Sequence, residues 1–390
     1  MSKSWNMVPF TEAVDICDAL RKPINSSERA SRIAGKKQSE LYPYYGATGQ
    51  VGFIDDYITD GEYVLLGEDG APFLDAYAPK AYIINGKTWV NNHAHVLRSK
   101  TNNKFLCYYL NSFNYKGFVS GTTRLKLTQA EMKRIPVPVP PISEQERIVA
   151  RIEELFSQLE AGVETLKKTK AQLAVYRQAV LKEAFESVIS ESDTCNVEDV
   201  CKDIKVGIVI KPAQYYTSAD VGVRAFRSAN VREFAINDSD WAFLTRAGHE
   251  ANLRSEIHTG DVLVVRSGYP GTACVVPPAY DGCNAIDILI AVPDMGRILP
   301  EYLCAYTNSP LGRKIVQEKK RGVAQAHFNV SGYSKTPIIV PSLDTQRRVV
   351  TEIDSRLSVC DSIEQTVDAA LQQAEAMRQS ILKDAFEGRL

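Results

Sequence analysis

A long internal repeat constrains this chain more than any other feature. Shifting the sequence by 201 positions places Pro136-Val-Pro-Val-Pro140 on Pro337-Ile-Ile-Val-Pro341. The same shift places Arg177-Gln-Ala-Val-Leu-Lys-Glu-Ala-Phe-Glu186 on Arg378-Gln-Ser-Ile-Leu-Lys-Asp-Ala-Phe-Glu387, and no gap is needed between. Of the 51 paired positions 17 are identical. A period of this length is far beyond a solenoid unit of 20–50 residues. It describes a duplicated domain followed each time by a long helix.

Both helices are legible from period and punctuation. Ser143-x-x-Glu146 has capping-box spacing and starts the first near Glu144, and Asp344 is the matching N-cap of the second. No proline interrupts residues 142–211 or 342–390. Alternating steps of four and three pass through Ile148, Ile152, Leu155, Leu159, Leu166 and Leu173 in the first helix. In the second they pass through Val349, Ile353, Ile363, Val367, Met377 and Ile381. This is a sustained 3.5-residue seam, which predicts coiled-coil pairing. A helix over 144–186 is about 65 Å long and needs a partner; the chain holds one of equal length.

The expected organisation is a first domain at 1–140, a first long helix at 141–192, a second domain at 193–341 and a second long helix at 342–390. The domains read as mixed α and β. Gly61–Gly67 and Gly260–Val265 are buried strands bounded by glycine, and Lys104–Ser112 and Glu301–Ser309 are equivalent helices. Residues 1–140 carry 17 basic against 13 acidic side chains, whereas 141–192 carry 7 against 9 and 342–390 carry 6 against 9. Positive charge therefore favours the first domain over the helices, so nucleic acid, if bound, meets domains and the helices meet protein. No Cys-x-x-Cys pair occurs among the eight cysteines, which points away from zinc and towards a reduced, cytoplasmic setting. No run of about 18 apolar residues exists for a membrane span.

The order of these pieces is informative. Two diverged domains each end in a Pro-punctuated stretch, a Gln-x-Arg helix start (Gln145 and Arg147; Gln346 and Arg348) and a Leu-Lys-(Glu/Asp)-Ala-Phe-Glu helix end. Together with Tyr44-Tyr-Gly-Ala-Thr-Gly49 and Val90-Asn-Asn-His-Ala-His-Val96, this resembles the specificity subunit of type I restriction–modification systems. The resemblance implies an α+β fold: two tandem target-recognition domains joined by two long antiparallel coiled-coil helices with pseudo-two-fold symmetry. It implies a non-catalytic subunit that reads an asymmetric bipartite sequence in double-stranded DNA and docks two adenine-N6 methyltransferase subunits. Restriction and translocation subunits join the larger assembly. S-adenosylmethionine, ATP and magnesium are then expected on those partners and no cofactor in this chain. The second domain departs from the first, with Cys283-Asn-Ala-Ile-Asp287 in place of the Asn-x-His-x-His pattern.

The residues agree with a lack of catalysis. Val276-Pro-Pro-Ala-Tyr280 lacks the polar first residue of an amino-methyltransferase loop, and no Gly-x-Gly or Walker loop follows a strand. A metal-nuclease reading has one foothold, Asp294 followed by Glu318-Lys-Lys320, and a free-standing coiled-coil scaffold or DNA-binding regulator is the other alternative. Candidate DNA ligands are basic, amide and aromatic residues in expected loops. Lys36, Lys37, Lys116, Lys319, Lys320 and Arg321 suit phosphates. Asn91, Asn92, Arg124, Arg227, Asn230, Arg266 and Gln325 suit base edges, and Tyr44, Tyr45 and Tyr269 suit stacking. His93 and His95 read as hydrogen-bonding within the fold.

Overall fold

A computed structural model describes residues 5–189, 193–314 and 329–390. The chain divides into two compact units, one of Met1–Lys168 with Val367–Leu390, the other of Thr169–Thr366. Each unit holds one α+β domain, the start of the long helix that follows that domain, and the end of the other long helix.

The two domains share one topology. In the first, an antiparallel sheet runs in the order Val14–Ile16, Ala94–Ser99, Tyr63–Gly67, Ala81–Ile84. In the second, the order is Cys201–Val206, Ile288–Pro293, Val262–Val265, Ala273–Val275, again antiparallel. Each pairs its entry strand with the Pro-rich exit strand, Met7–Pro9 with Pro136–Pro138 and Asp193–Asn196 with Pro337–Val340. Each also contains a parallel pair, Tyr42–Gly46 beside Lys87–Val90 and Val223–Phe226 beside Asn284–Ala285. The central strands read as continuous apolar runs because both faces are covered; Val64, Leu65 and Leu66 are fully buried, as are Val262, Leu263 and Val264. The helices Asn103–Ser112 and Pro300–Asn308 end in equivalent amides. Asn111 accepts from Ala81 N and donates to Ala81 O, and Asn308 does the same with Ala273, so each side chain extends a sheet edge.

Ile142–Glu186 is one helix of 45 residues and Leu343–Phe386 one of 44. Both begin slightly earlier than the capping residues suggest. Ser342, not Asp344, accepts the Thr345 N–H, and Asp344 instead pairs with Arg347 at 2.6 Å. Within each unit the helix pieces are antiparallel, because partner numbers fall on one helix as they climb on the other. In the first unit Arg147 meets Leu390 and Glu160 meets Arg378; in the second Arg177 meets Asp361 and Glu183 meets Arg356. Arg378–Glu160 and Arg177–Asp361 are copies of one another under the 201-residue shift.

The repeated motifs are packing devices. Gln145 and Gln346 are buried at the two helix starts. Gln145 donates to Pro140 O and accepts from the Thr101 hydroxyl. Gln346 donates to Pro341 O and accepts from Leu299 N. Each glutamine thereby ties its helix to the domain before it. The helix-end phenylalanines do the converse. Phe185 packs edge-on against Tyr302 and Tyr306 of the second domain, and Phe386 against Phe105 and Tyr109 of the first.

The seam departs from the strict heptad. Ile148, Ile152, Leu173, Val349, Ile353, Val367 and Ile381 are buried and Leu155, Leu159 and Leu166 partly so. Ile363 and Met377, however, are 40% and 47% exposed, and Phe156 and Leu357, off the expected seam, are buried. The reason is local: near its domain each helix buries a broader face with the 3.6-residue period, so the stripe drifts away from alternate seam positions.

Candidate nucleic-acid interface

In both units the strand at the same place in the sheet runs into a glycine-containing loop, and each loop lines a cleft. In the first unit the strand Tyr63–Gly67 leads into Glu68-Asp69-Gly70. That loop is zipped to residues 125–127 by Gly70 N to Leu125 O (2.9 Å) and Leu127 N to Glu68 O (2.8 Å). The neighbouring turn closes through reciprocal bonds between Ser120 and Lys126. Gly121 enables that turn with φ of +100°, where a Cβ would collide with Arg124 O. Gly121→Ala should therefore destabilise the first unit by more than about 1 kcal/mol, read as a lowered thermal midpoint; an unchanged midpoint contradicts the tight turn.

The resulting cleft has a volume of about 630 Å³ and is lined by Thr48, Asp69, Asn91, His93, Thr123 and Arg124 among others. Arg124 Nε pairs with Asp69 at 2.7 Å, and His93 Nδ1 lies 3.6 Å from the same carboxylate. Asn91 is buried, and its Oδ1 accepts the His93 N–H at 2.8 Å.

A buried polar network supports this loop from below. His95 is fully buried; its Nδ1 lies 2.8 Å from Asp18 and its Nε2 3.1 Å from Leu127 O. Asp18 also accepts from Val96 N and Gln129, and pairs with Arg21, which in turn holds Glu68. Burial by itself raises the Asp18 pKa, but the hydrogen bonds and charge of this network, His95 foremost, bring it below the ordinary value. A carboxylate depressed in the folded state stabilises above its unfolded pKa of 3.8 and loses that contribution as pH falls through the folded value. The stability gap between wild type and Asp18→Asn should thus be constant near neutrality and narrow below about pH 4. A gap that widens on acidification, in unfolding midpoints followed against pH, contradicts the assignment.

In the second unit the strand Val262–Val265 leads into Arg266-Ser267-Gly268-Tyr269. The cleft there has a volume of about 730 Å³, with Arg232, Ser267, Tyr269 and Arg313 on its wall. Tyr269 is 85% exposed. Arg266 is held by Asp287 at 2.6 Å, a residue whose φ of +51° belongs to its turn.

The expected ligands divide accordingly. Lys37, Asn92, Lys116 and Arg124 are exposed, as is Lys36, which bonds Asp55 at 2.7 Å. Arg227 is partly exposed and pairs with Asp240 at 2.9 Å. Tyr45 is half-buried against Tyr82. Two residues are corrected. Tyr44 is core rather than a stacking platform, with Arg29 across its ring at 4.9 Å. Asn230 is fully buried and holds a turn, accepting from Arg227 N and donating to Asn237 O and Ser239 O; it has no edge left for a base. Lys319, Lys320, Arg321 and Gln325, with the nuclease candidate Glu318, lie outside the described residues. Asp69, Thr48 and Arg232 were absent from the sequence-based set; the Asp-Gly step after the Gly61–Gly67 strand was the available signal for the first. Among the described residues no group of three His, Cys, Asp or Glu could hold a metal ion, and no helix is long and apolar enough to cross a membrane.

Comparison with known proteins follows the same lines. Residues 9–171 match the family model described as the type I restriction modification DNA specificity domain. A Haemophilus influenzae chain named as a type I restriction enzyme specificity subunit is 29% identical over 94% of this chain and 91% of its own length. The EcoBI specificity subunit of Escherichia coli is 23% identical over 92% and 79%. Among solved structures, a chain from a study of complex assembly and conformational transition in the type I R-M system aligns with a TM-score of 0.72 at 16% identity, covering 100% of this chain and 99% of that one. The HsdS subunit of Thermoanaerobacter tengcongensis aligns at 0.52 and 16% identity, covering 100% and 98%. With the domain duplicated and both helix motifs accounted for by packing, the chain is similar to type I restriction–modification specificity subunits along most of its length, and residues 9–171 match the model of their DNA specificity domain.

Proposed function

We propose that this chain is the non-catalytic recognition subunit of a type I restriction–modification complex. Each domain reads one half of an asymmetric, bipartite duplex target. Two adenine-N6 methyltransferase subunits dock on the chain, and restriction subunits join through them; S-adenosylmethionine, ATP and magnesium act on those partners. The observation that carries this reading is the conserved sheet order beneath two unlike clefts. A duplicated frame suits two half-sites of duplex DNA, and different clefts suit different half-site sequences. The repeat also gives each unit an equivalent place for the same partner. Tyr176 and Met377 correspond under the 201-residue shift, and both are exposed on their helices.

The test is co-expression with a methyltransferase subunit of the same class. The expected product is a complex with two methyltransferase copies per chain that methylates adenine within one interrupted sequence. Recovery of this chain only as a homo-oligomer favours the scaffold alternative, and cleavage of plasmid by this chain alone with magnesium favours the nuclease alternative.

A further inference from the structure

The first-unit cleft presents an ordered set of donors. Asp69 pairs with Arg124 at Nε (2.7 Å), and among the described residues no side-chain hydrogen bond occupies the two terminal guanidinium nitrogens. The Arg124 side chain is 61% exposed, so these nitrogens face solvent across the cleft. Gly70, with φ of +79°, lets the guanidinium lie close to the loop, since a Cβ there would stand 3.3 Å from Arg124 Nε. Asn91, 8% exposed, spends its Oδ1 on the His93 N–H and leaves Nδ2 unpartnered on the cleft wall. The charged acceptor beside them is the Asp69 carboxylate.

This arrangement discriminates between two parts of DNA. A phosphate would meet a guanidinium already neutralised by Asp69 and would sit beside a like charge. A G·C pair offers guanine O6 and N7 as acceptors and cytosine N4 as a donor in the major groove, the complement of this donor and acceptor set. Resting on the DNA-recognition reading above, we propose that this cleft reads a guanine. Arg124 contacts O6 and N7 bidentately, Asn91 Nδ2 donates to a neighbouring acceptor, and Asp69 is a positioning residue that holds the guanidinium plane.

The experiment measures sequence preference of the methyltransferase-bound complex on duplexes with each half-site randomised in turn, at two salt concentrations. Wild type should require guanine at one position of the half-site read by the first domain. Arg124→Ala should lower discrimination at that position by roughly 5- to 150-fold, the range for one bidentate contact, and leave the other half-site intact. Arg124→Lys should relax it as well, because a point charge lacks the planar fork. Asp69→Asn, which keeps the arginine but loosens its plane, should relax the same position less. Uniform weakening by Arg124→Ala across all sequences, with a shallower salt dependence, would make Arg124 a phosphate ligand and overturn the inference. So would unchanged specificity in a folded Arg124→Ala complex. A wild-type complex with no sequence preference would instead overturn the recognition reading on which the inference rests.

Discussion

Phe185→Ala should cost the second unit about 3–5 kcal/mol, the usual penalty for emptying a fully buried aromatic site. Phe185 is fully buried, and its ring centroid lies 5.2 Å from that of Tyr302 and 5.1 Å from that of Tyr306. Tyr302 and Tyr306 belong to the helix Pro300–Asn308, which is buried at every position but Glu301 and cannot collapse into the gap without moving the sheet beneath. The equivalent Phe386→Ala should cost less, because Phe386 is only partly buried. Calorimetric or denaturant unfolding of the full chain reads both. Equal losses, or a loss below about 1 kcal/mol for Phe185→Ala, would mean the helix-end motif is not the anchor its contacts describe.

Lengthening both long helices should change the target itself. Four added residues per helix extend each by about 6 Å and turn it by about 40° beyond a full revolution, so the packed face is nearly retained. If the helices set the interval between half-sites, the preferred spacer should grow by one or two base pairs at about 3.4 Å each. Cross-helix pairs such as Arg177–Asp361 and Arg378–Glu160 are exposed and contribute little individually, so they can re-form one turn along. Selection from a library of spacer lengths measures the change. An unchanged spacer in a folded variant would remove the helices from that role.

Much of this architecture was legible because duplication writes each constraint twice. The long helices, the Gly61–Gly67 and Gly260–Val265 strands and the two domain helices all follow from period, punctuation and repeat. The seam was legible only in part. A 3.5-residue count assumes that a helix sees just one other helix, and Ile363 and Met377 fall outside the buried stripe once a domain also packs on each helix. The cleft was less legible still. Tyr44 and Tyr45 alternate across a strand, and nothing local says which of them faces the core. Asn230 has the right chemistry for a base edge, yet its neighbours 227, 237 and 239 consume every polar atom. Asp69 pairs with Arg124, 55 positions away, which no short motif reveals.

Two independent readers on one duplicated frame should be separable by a domain exchange. Residues 1–140 are exchanged for the corresponding domain of a type I specificity subunit, followed by sequencing of the methylated sites. One half-site should change, while the other half-site and the spacer remain. A change in both half-sites, or in neither, would contradict the two-reader arrangement.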